Sequence, residues 1–384
     1  MERRPCRSDS SNSQPRSTPL LRQRGIDSSW RSRFVAYHLS QDDMNPDHYR
    51  ALKETAGLIR RLDRGRIALT GVDRADYLQG LLTNDIVALR EGRGCYAAYM
   101  TPQGRIVADT ELFSLGEKLL LDVHVSVKDM LVQRFTELVF TEDVEIADWT
   151  DAWVGYAVAG PTAEECLAPI LAESFSADGR GSTSMAIEDH DCRLLSRGGG
   201  SLVVSRTDPF GAKGFDLWVE QPGALELWST LLEAGCTEVD AAATELVRIE
   251  NGRPAFPLDL NAETIPLEAG IEDRAISFTK GCYVGQEVIV RVLHRGHGRV
   301  SRKLTGLTMN QSVDPASLSA GASLWHGDES VGKVTSVAFS PTVGAVIGLG
   351  YVKRDQLEPG KVLQVTAGAE RISAVVTALP FFSS

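Results

Sequence analysis

A chain of 384 residues with 40 basic and 51 acidic side chains carries a formal charge of −11 at neutral pH, and 43% of it is hydrophobic. That balance suits a soluble globular protein of two or three domains, and the acidic excess argues against a nonspecific nucleic-acid binder, which needs surplus Lys and Arg. No run approaches the roughly twenty apolar residues of a membrane span, and the start of the chain lacks the apolar stretch of a secretory signal, so a cytoplasmic protein without membrane or nucleic-acid partners is expected.

Residues 1–43 hold eight Arg, no Lys and many Ser, without sustained periodicity, and read as a disordered extension. Met44 then stands as an alternative start. The rival reading is an organelle transit peptide, which would place the protein in the mitochondrial matrix, although Glu2, Asp9 and Asp27 weaken it. From Asn45, apolar residues at Tyr49, Leu52, Ala56, Ile59 and Leu62 recur at helical spacing. A strand at 66–70 and a Gly71 turn come next, and Asp73 is placed to cap a helix carrying Tyr77, Leu78, Leu81 and Leu82. Strands are expected at 94–101, 106–114 and 118–123, followed by an amphipathic helix over 126–139. The texture repeats with a strand at 153–159, a helix at 162–171, a strand at 214–219 and helices near 222–234 and 241–250.

Beyond about Val300, short strands are separated by Gly, Asp and Pro, which suits a small antiparallel barrel. The fold class is therefore α+β, with two related α/β units of antiparallel sheet over 44–299 and a C-terminal β-barrel over 300–384.

The run Lys280-Gly281-Cys282-Tyr283-Val284-Gly285-Gln286-Glu287 is the densest collection of reactive and backbone-permissive residues. A cation two residues before a thiol can favour thiolate, and Tyr283, Gln286 and Glu287 offer directional hydrogen bonds. Cys282 thus reads as a nucleophile or metal contact, or alternatively as a small buried hydrophobe. The other five cysteines are dispersed, with no CxxC pair and no His at ligand spacing, so no stable metal site is expected. Downstream, Arg291, His294, Arg295, His297 and Arg299 make a positive segment in an acidic chain, and strand alternation would turn Arg291 inward. Asn84 closes a polar run, where capping and ligand binding both fit, and Glu250 can pair with Arg248 or Arg253 or accept two N–H bonds from a ligand.

Taken together these runs resemble the YgfZ family, folate-binding relatives of the glycine-cleavage T-protein linked to iron–sulfur cluster assembly or repair. The octapeptide 280–287 carries that likeness, with DRADYLQGLLTND at 73–85, PQGRIVAD at 102–109, RIENGRPAFP at 248–257 and PLEAG at 266–270 in the same order. The resemblance implies a T-protein-like fold that binds tetrahydrofolate or a derivative, with or without a polyglutamate tail, and helps iron–sulfur client enzymes through Cys282 rather than by ordinary turnover. It implies Asn84 and Glu250 as pterin contacts, and Arg291 is placed on the glutamate tail. Lys280 and Asp109 join Cys282 as candidate reactive groups, and Tyr283, Gln286 and Glu287 as candidate folate contacts. The alternative is a folate-dependent aminomethyltransferase. T-proteins use an aspartate in a GG-x-x-DD run, and here Val107 and Ala108 stand where acids are expected, with Asp109 one position later.

Overall fold

A computed structural model describes residues 38–39, 44–178, 188–197, 199–294, 296, 298–318 and 320–382. The expectation of disorder over 1–43 lies outside them except at His38–Leu39, and the expectations for Arg295 and His297 lie outside them altogether. Along the chain come β1 (His38–Leu39), α1 (Pro46–Glu54), β2 (Gly57–Arg60), β3 (Arg64–Thr70), α2 (Arg74–Gln79), β4 (Gly94–Met100), β5 (Ile106–Ser114), β6 (Leu119–His124), α3 (Val125–Glu137) and β7 (Glu145–Asp148). There follow β8 (Trp153–Ala159), α4 (Ala163–Asp178), β9 (Cys192–Arg197), β10 (Gly200–Arg206), β11 (Gly214–Glu220), α5 (Ala224–Glu233), β12 (Thr237–Glu238) and α6 (Ala241–Glu250). The helices α7 (Pro266–Ala269), α8 (Glu272–Ala275) and α9 (Gln286–His294) lead to β13 (Arg302–Met309), β14 (Ser323–His326), β15 (Glu329–Ser340), β16 (Ala345–Lys353), β17 (Val362–Ala367) and β18 (Glu370–Thr377).

Three sheets organise these elements. The first runs β4-β5-β6-β3-β7, antiparallel throughout, and α3 buries Leu131 and Phe135 against its Ile67, Leu112 and Leu121. A second runs β12-β2-β8-β11-β10-β9, with Leu167 and Ile170 of α4 and Leu227 and Leu231 of α5 packed on Leu58, Val158 and Leu217. Fully burying side chains of this size stabilises each core by about 1.5–3 kcal/mol apiece. The third sheet runs from β13 through β16, β15, β14, β17 and β18 and returns to β13, a closed six-strand barrel filled by Leu307, Leu324, Val334, Val346, Leu363 and Val376. β1 adds to it in parallel beside β15.

Charge as well as apolar packing joins the first two sheets. Arg64 Nε donates to Asp122 Oδ1 at 2.7 Å, Trp218 Nε1 donates to Asp122 Oδ2 at 3.0 Å, and Arg61 bridges Asp63 and Asp216. Each of these carboxylates is bonded to an arginine, which is what makes buried charge tolerable.

The structure departs from the sequence reading in four places. The helix beginning at Pro46 stops at Glu54, and Gly57–Arg60 pairs with β8 instead of extending it. Leu58 and Ile59 enter two different cores on opposite faces, and a strand buried on both faces imitates helical spacing over so short a run. Because β2 precedes the first sheet yet belongs to the second, the two α/β units are interleaved rather than strictly serial. Helix α2 ends at Gln79, before Leu81 and Leu82, and Asp73 accepts from the Asp143 amide instead of capping it. Finally, the segment expected as a strand around Arg291 is the helix α9; Ile289, Val292 and Leu293 turn to the core at i, i+3 and i+4, and Arg291 is exposed rather than inward.

Candidate active site

Strand pairing brings Asp109 of β5 and Tyr96 of β4 onto one face of the first sheet, with Tyr96 opposite Glu111 and Ala98 opposite Asp109. Asp109 is only 7% exposed. Tyr96 Oη donates to its Oδ2 at 2.9 Å, while Oδ1 is buried with no hydrogen-bond partner among the described residues. A buried carboxylate oxygen without a donor costs about 1–3 kcal/mol or more, so such an atom in a native fold calls for a ligand or water. Burial, followed by the neighbouring Asp109 charge, pushes the Tyr96 phenol well above its ordinary range, which keeps its proton available for that bond.

Glu111 lies two residues along β5, on the same face as Asp109. Its Oε2 is 2.9 Å from His190 Nε2, and its Oε1 is 3.8 Å from Arg274, whose guanidinium lies 4.5 Å from the Tyr96 ring centroid. Burial alone would raise Glu111 and lower His190. Their mutual bond overrides both effects, leaving Glu111 below and His190 above its usual value. Arg253 stands in the same electrostatic neighbourhood, drawn down by burial and by the adjacent Arg274. On another side are Arg64 and His124; burial and then Arg64 lower the His124 imidazole and favour its neutral form.

Asn84 supports this cluster from behind. Its Nδ2 donates to the Tyr96 and Arg274 carbonyls at 2.9 and 3.1 Å, and its Oδ1 accepts from the Asp85 amide. The side chain therefore ties β4 to α8 and fixes the backbone of two site residues. Glu250 is fully buried and fully engaged elsewhere: Oε1 accepts from Tyr49 Oη at 2.8 Å and Ser340 Oγ at 2.6 Å, and Oε2 meets Lys53 Nζ at 3.3 Å. Those bonds join α1, α6 and the barrel.

In the octapeptide, Lys280 Nζ donates to the carbonyls of Gln79, Leu82 and Asn84, each at 2.7 Å. The ammonium thus holds the last carbonyl of α2, at Gln79, together with two carbonyls of the segment that follows it, at Leu82 and Asn84. Burial draws Lys280 down to about 8, and its charge is directed at α2. Tyr283 is buried with its ring centroid 5.1 Å from Lys280 Nζ, and Gly285 sits at φ +85°, where a Cβ would meet the Thr101 carbonyl at 2.7 Å. Gln286 and Glu287 open α9, and Glu287 is exposed. Cys282 is exposed, whereas Cys166, Cys192 and Cys236 are buried and Cys95 is half-buried. Among the described residues no group of three or more His, Cys, Asp or Glu is arranged to hold a metal ion.

Residues 31–280 match the GCVT N-terminal domain and residues 302–383 match the glycine cleavage T-protein C-terminal barrel domain. The chain belongs to the glycine cleavage T-protein family. An aminomethyltransferase of Rubrobacter xylanophilus is 33% identical over 334 residues, covering 87% of this chain and 85% of that protein. A putative chloroplastic transferase of Arabidopsis thaliana is 30% identical, covering 83% and 69%. In the crystal structure of the glycine cleavage aminomethyltransferase T from Bartonella henselae, the fold matches with a TM-score of 0.75 at 21% identity, covering 88% of this chain and 89% of that one.

Within this T-protein fold the sequence reading singled out Asp109 and Asn84, which the structure brings together through Tyr96. It missed Tyr96, Glu111, His190, Arg253 and Arg274. Glu111 carried a usable signal, since it stands two residues after Asp109 on one strand and so shares its face. His190 and Arg274 carried none, because each arrives from a distant loop or short helix.

Proposed function

We propose that this chain binds a reduced folate against Asp109 and uses it as acceptor in one-carbon transfer of the aminomethyl type. The observation that carries the reading is the buried Asp109 Oδ1, which has no donor among the described residues. Its neighbours fit a ligand rich in N–H groups: Asp109 supplies an open acceptor, Tyr96 fixes the carboxylate by holding Oδ2, and Asn84 fixes Tyr96 and Arg274. Tetrahydrofolate, when bound, supplies an amine nitrogen able to take up carbon at the formaldehyde oxidation level. Asp109 Oδ1 then accepts and holds a proton from the reacting nitrogen, the step for which a carboxyl must lie within hydrogen-bond reach. Aminomethyltransferases among the relatives support this assignment. The absence of acids at 107 and 108 counts for less once Asp109 supplies the buried carboxyl.

The test is titration of tetrahydrofolate, followed by carbon transfer from an aminomethylated lipoyl carrier protein. Binding and transfer by the native chain, with transfer lost in Asp109→Asn, supports the reading; binding without transfer from that donor overturns the enzymatic part.

A second reading rests on Cys282, the exposed member of the described cysteines, held on a loop that Lys280 pins to α2. In that reading the folate-bound protein assists assembly or repair of iron–sulfur clusters in client enzymes, with the thiol making a transient contact. Full restoration of client activity by Cys282→Ser in a deletion strain would remove it.

A further inference from the structure

His124 closes β6 and caps α3, and the two nitrogens of its imidazole have different fates. Nδ1 accepts from the Ser126 amide at 3.2 Å, with Ser126 Oγ at 2.7 Å. A backbone amide can only donate, so Nδ1 carries no proton and the proton of the neutral ring sits on Nε2. Burial and the neighbouring Arg64 act in the same sense, against an imidazolium. The side chain is only 8% exposed, and no hydrogen bond engages Nε2 among the described residues. A buried donor without an acceptor is as costly as a buried acceptor without a donor.

The strand pattern places that donor beside Asp109. Glu111 and Asp122 stand opposite each other across β5 and β6, and Asp109 and His124 lie two residues further along the same strands, so all four side chains share one face. The ladder pairs Thr110 with Val123, which makes Asp109 and His124 the next residues on their strands. Helix α3 packs on the other face, through Leu131 and Phe135 against Leu112 and Leu121. With Nδ1 turned to α3, the Nε2 edge is turned to the Asp109 side, and Phe256 packs on the ring with its centroid 5.9 Å away. The site thus holds an acceptor without a donor, Asp109 Oδ1, next to a donor without an acceptor, His124 Nε2.

We infer that His124 Nε2 donates to a ligand carbonyl lying beside the nitrogen bound at Asp109. The inference rests on the folate reading and names what the site selects in that ligand. In a tetrahydropterin the carbon-accepting N5 and the C4 carbonyl are bonded to the same ring carbon, so N–H and C=O stand side by side. One acceptor and one donor read that edge and reject a 4-amino ring, which sets N–H against N–H.

Asn and Gln divide the two histidine nitrogens between them. The Asn side chain reaches the place of Nδ1 and caps a helix well, but puts no donor at Nε2; Gln puts an amide donor there and vacates the cap. Calorimetric titration of tetrahydrofolate and of 4-amino-4-deoxytetrahydrofolate into native protein, His124→Asn and His124→Gln, with denaturant unfolding of each, reads both roles. Native protein should prefer tetrahydrofolate by about 10- to 100-fold. His124→Asn should unfold like native protein and lose that preference, whereas His124→Gln should unfold at lower denaturant and retain it. Equal affinity of native protein for the two ligands overturns the inference, as does an unchanged preference in His124→Asn. Should His124→Asn not fold, His124→Ser, which also caps and also lacks the donor, takes its place. Failure of the native protein to bind either pterin removes the folate reading itself, a result distinct from these.

Discussion

Tyr96 Oη lies 2.9 Å from Asp109 Oδ2 across the β4–β5 ladder, so one carboxylate oxygen is held by the fold and the other is left open. The bond fixes the direction in which Oδ1 points. Tyr96→Phe should lower carbon transfer by about tenfold while tetrahydrofolate still binds, because the acceptor survives but loses its orientation. Asp109→Asn removes the proton acceptor and should lower transfer by about 10²–10⁴-fold. Steady-state kinetics on both variants check the order of these effects.

Lys280 is predicted to act as the clamp of the Cys282 loop. Lys280→Met deletes three charge-assisted bonds to the carbonyls of Gln79, Leu82 and Asn84 and should destabilise the fold by roughly 2–5 kcal/mol in denaturant unfolding. Lys280→Arg should recover part of that loss. If Lys280→Met instead leaves stability untouched and only slows alkylation of Cys282, the lysine serves the thiol.

Glu250→Gln separates a structural anchor from a ligand contact. With Tyr49, Ser340 and Lys53 on its carboxylate, the substitution should cost about 3–5 kcal/mol of stability, as breaking a buried pair does. Tetrahydrofolate affinity of the folded variant should stay within about threefold of native, by an interaction change under 1 kcal/mol. A large affinity loss at unchanged stability would make Glu250 a pterin contact after all.

The Glu111–His190 pair should shape stability against pH. His190 is raised in the fold, so its contribution is fully present below its unfolded value near 6.5 and is lost as pH rises through the raised folded value. Glu111 is lowered, so its contribution is fully present above about pH 4.3 and is lost as pH falls through the depressed value. Stability from the pair therefore peaks between about pH 4.3 and 6.5. Thermal melts from pH 5 to 9 should show a decline on the alkaline side that His190→Gln flattens.

The barrel was legible because its strands are short apolar, β-branched runs broken by turn residues, as at Gly327 after β14, Pro341 after β15 and Gly368 after β17. Helix α6 was legible too, and the structure adds the cap, where the Asp240 side chain accepts from the Ala243 amide. The region from Ala56 to Leu62 was not, because a strand buried on both faces has no alternation to read. At the site, Asp109 was legible through the PQGRIVAD run at 102–109 that carries the family resemblance, whereas Arg253 and Arg274 matter only through what surrounds them in space. Lys280 was visible as a residue and invisible as a helix clamp, since its three acceptors lie about two hundred positions earlier.

Single-turnover transfer of a formaldehyde-level carbon to tetrahydrofolate, measured side by side for native protein, Asp109→Asn and Cys282→Ser, tests the central claim most directly. The account predicts transfer by the native chain, near-native transfer by Cys282→Ser, and a loss of about 10²–10⁴-fold in Asp109→Asn with the fold intact. Undiminished transfer in Asp109→Asn, or loss confined to Cys282→Ser, would contradict it.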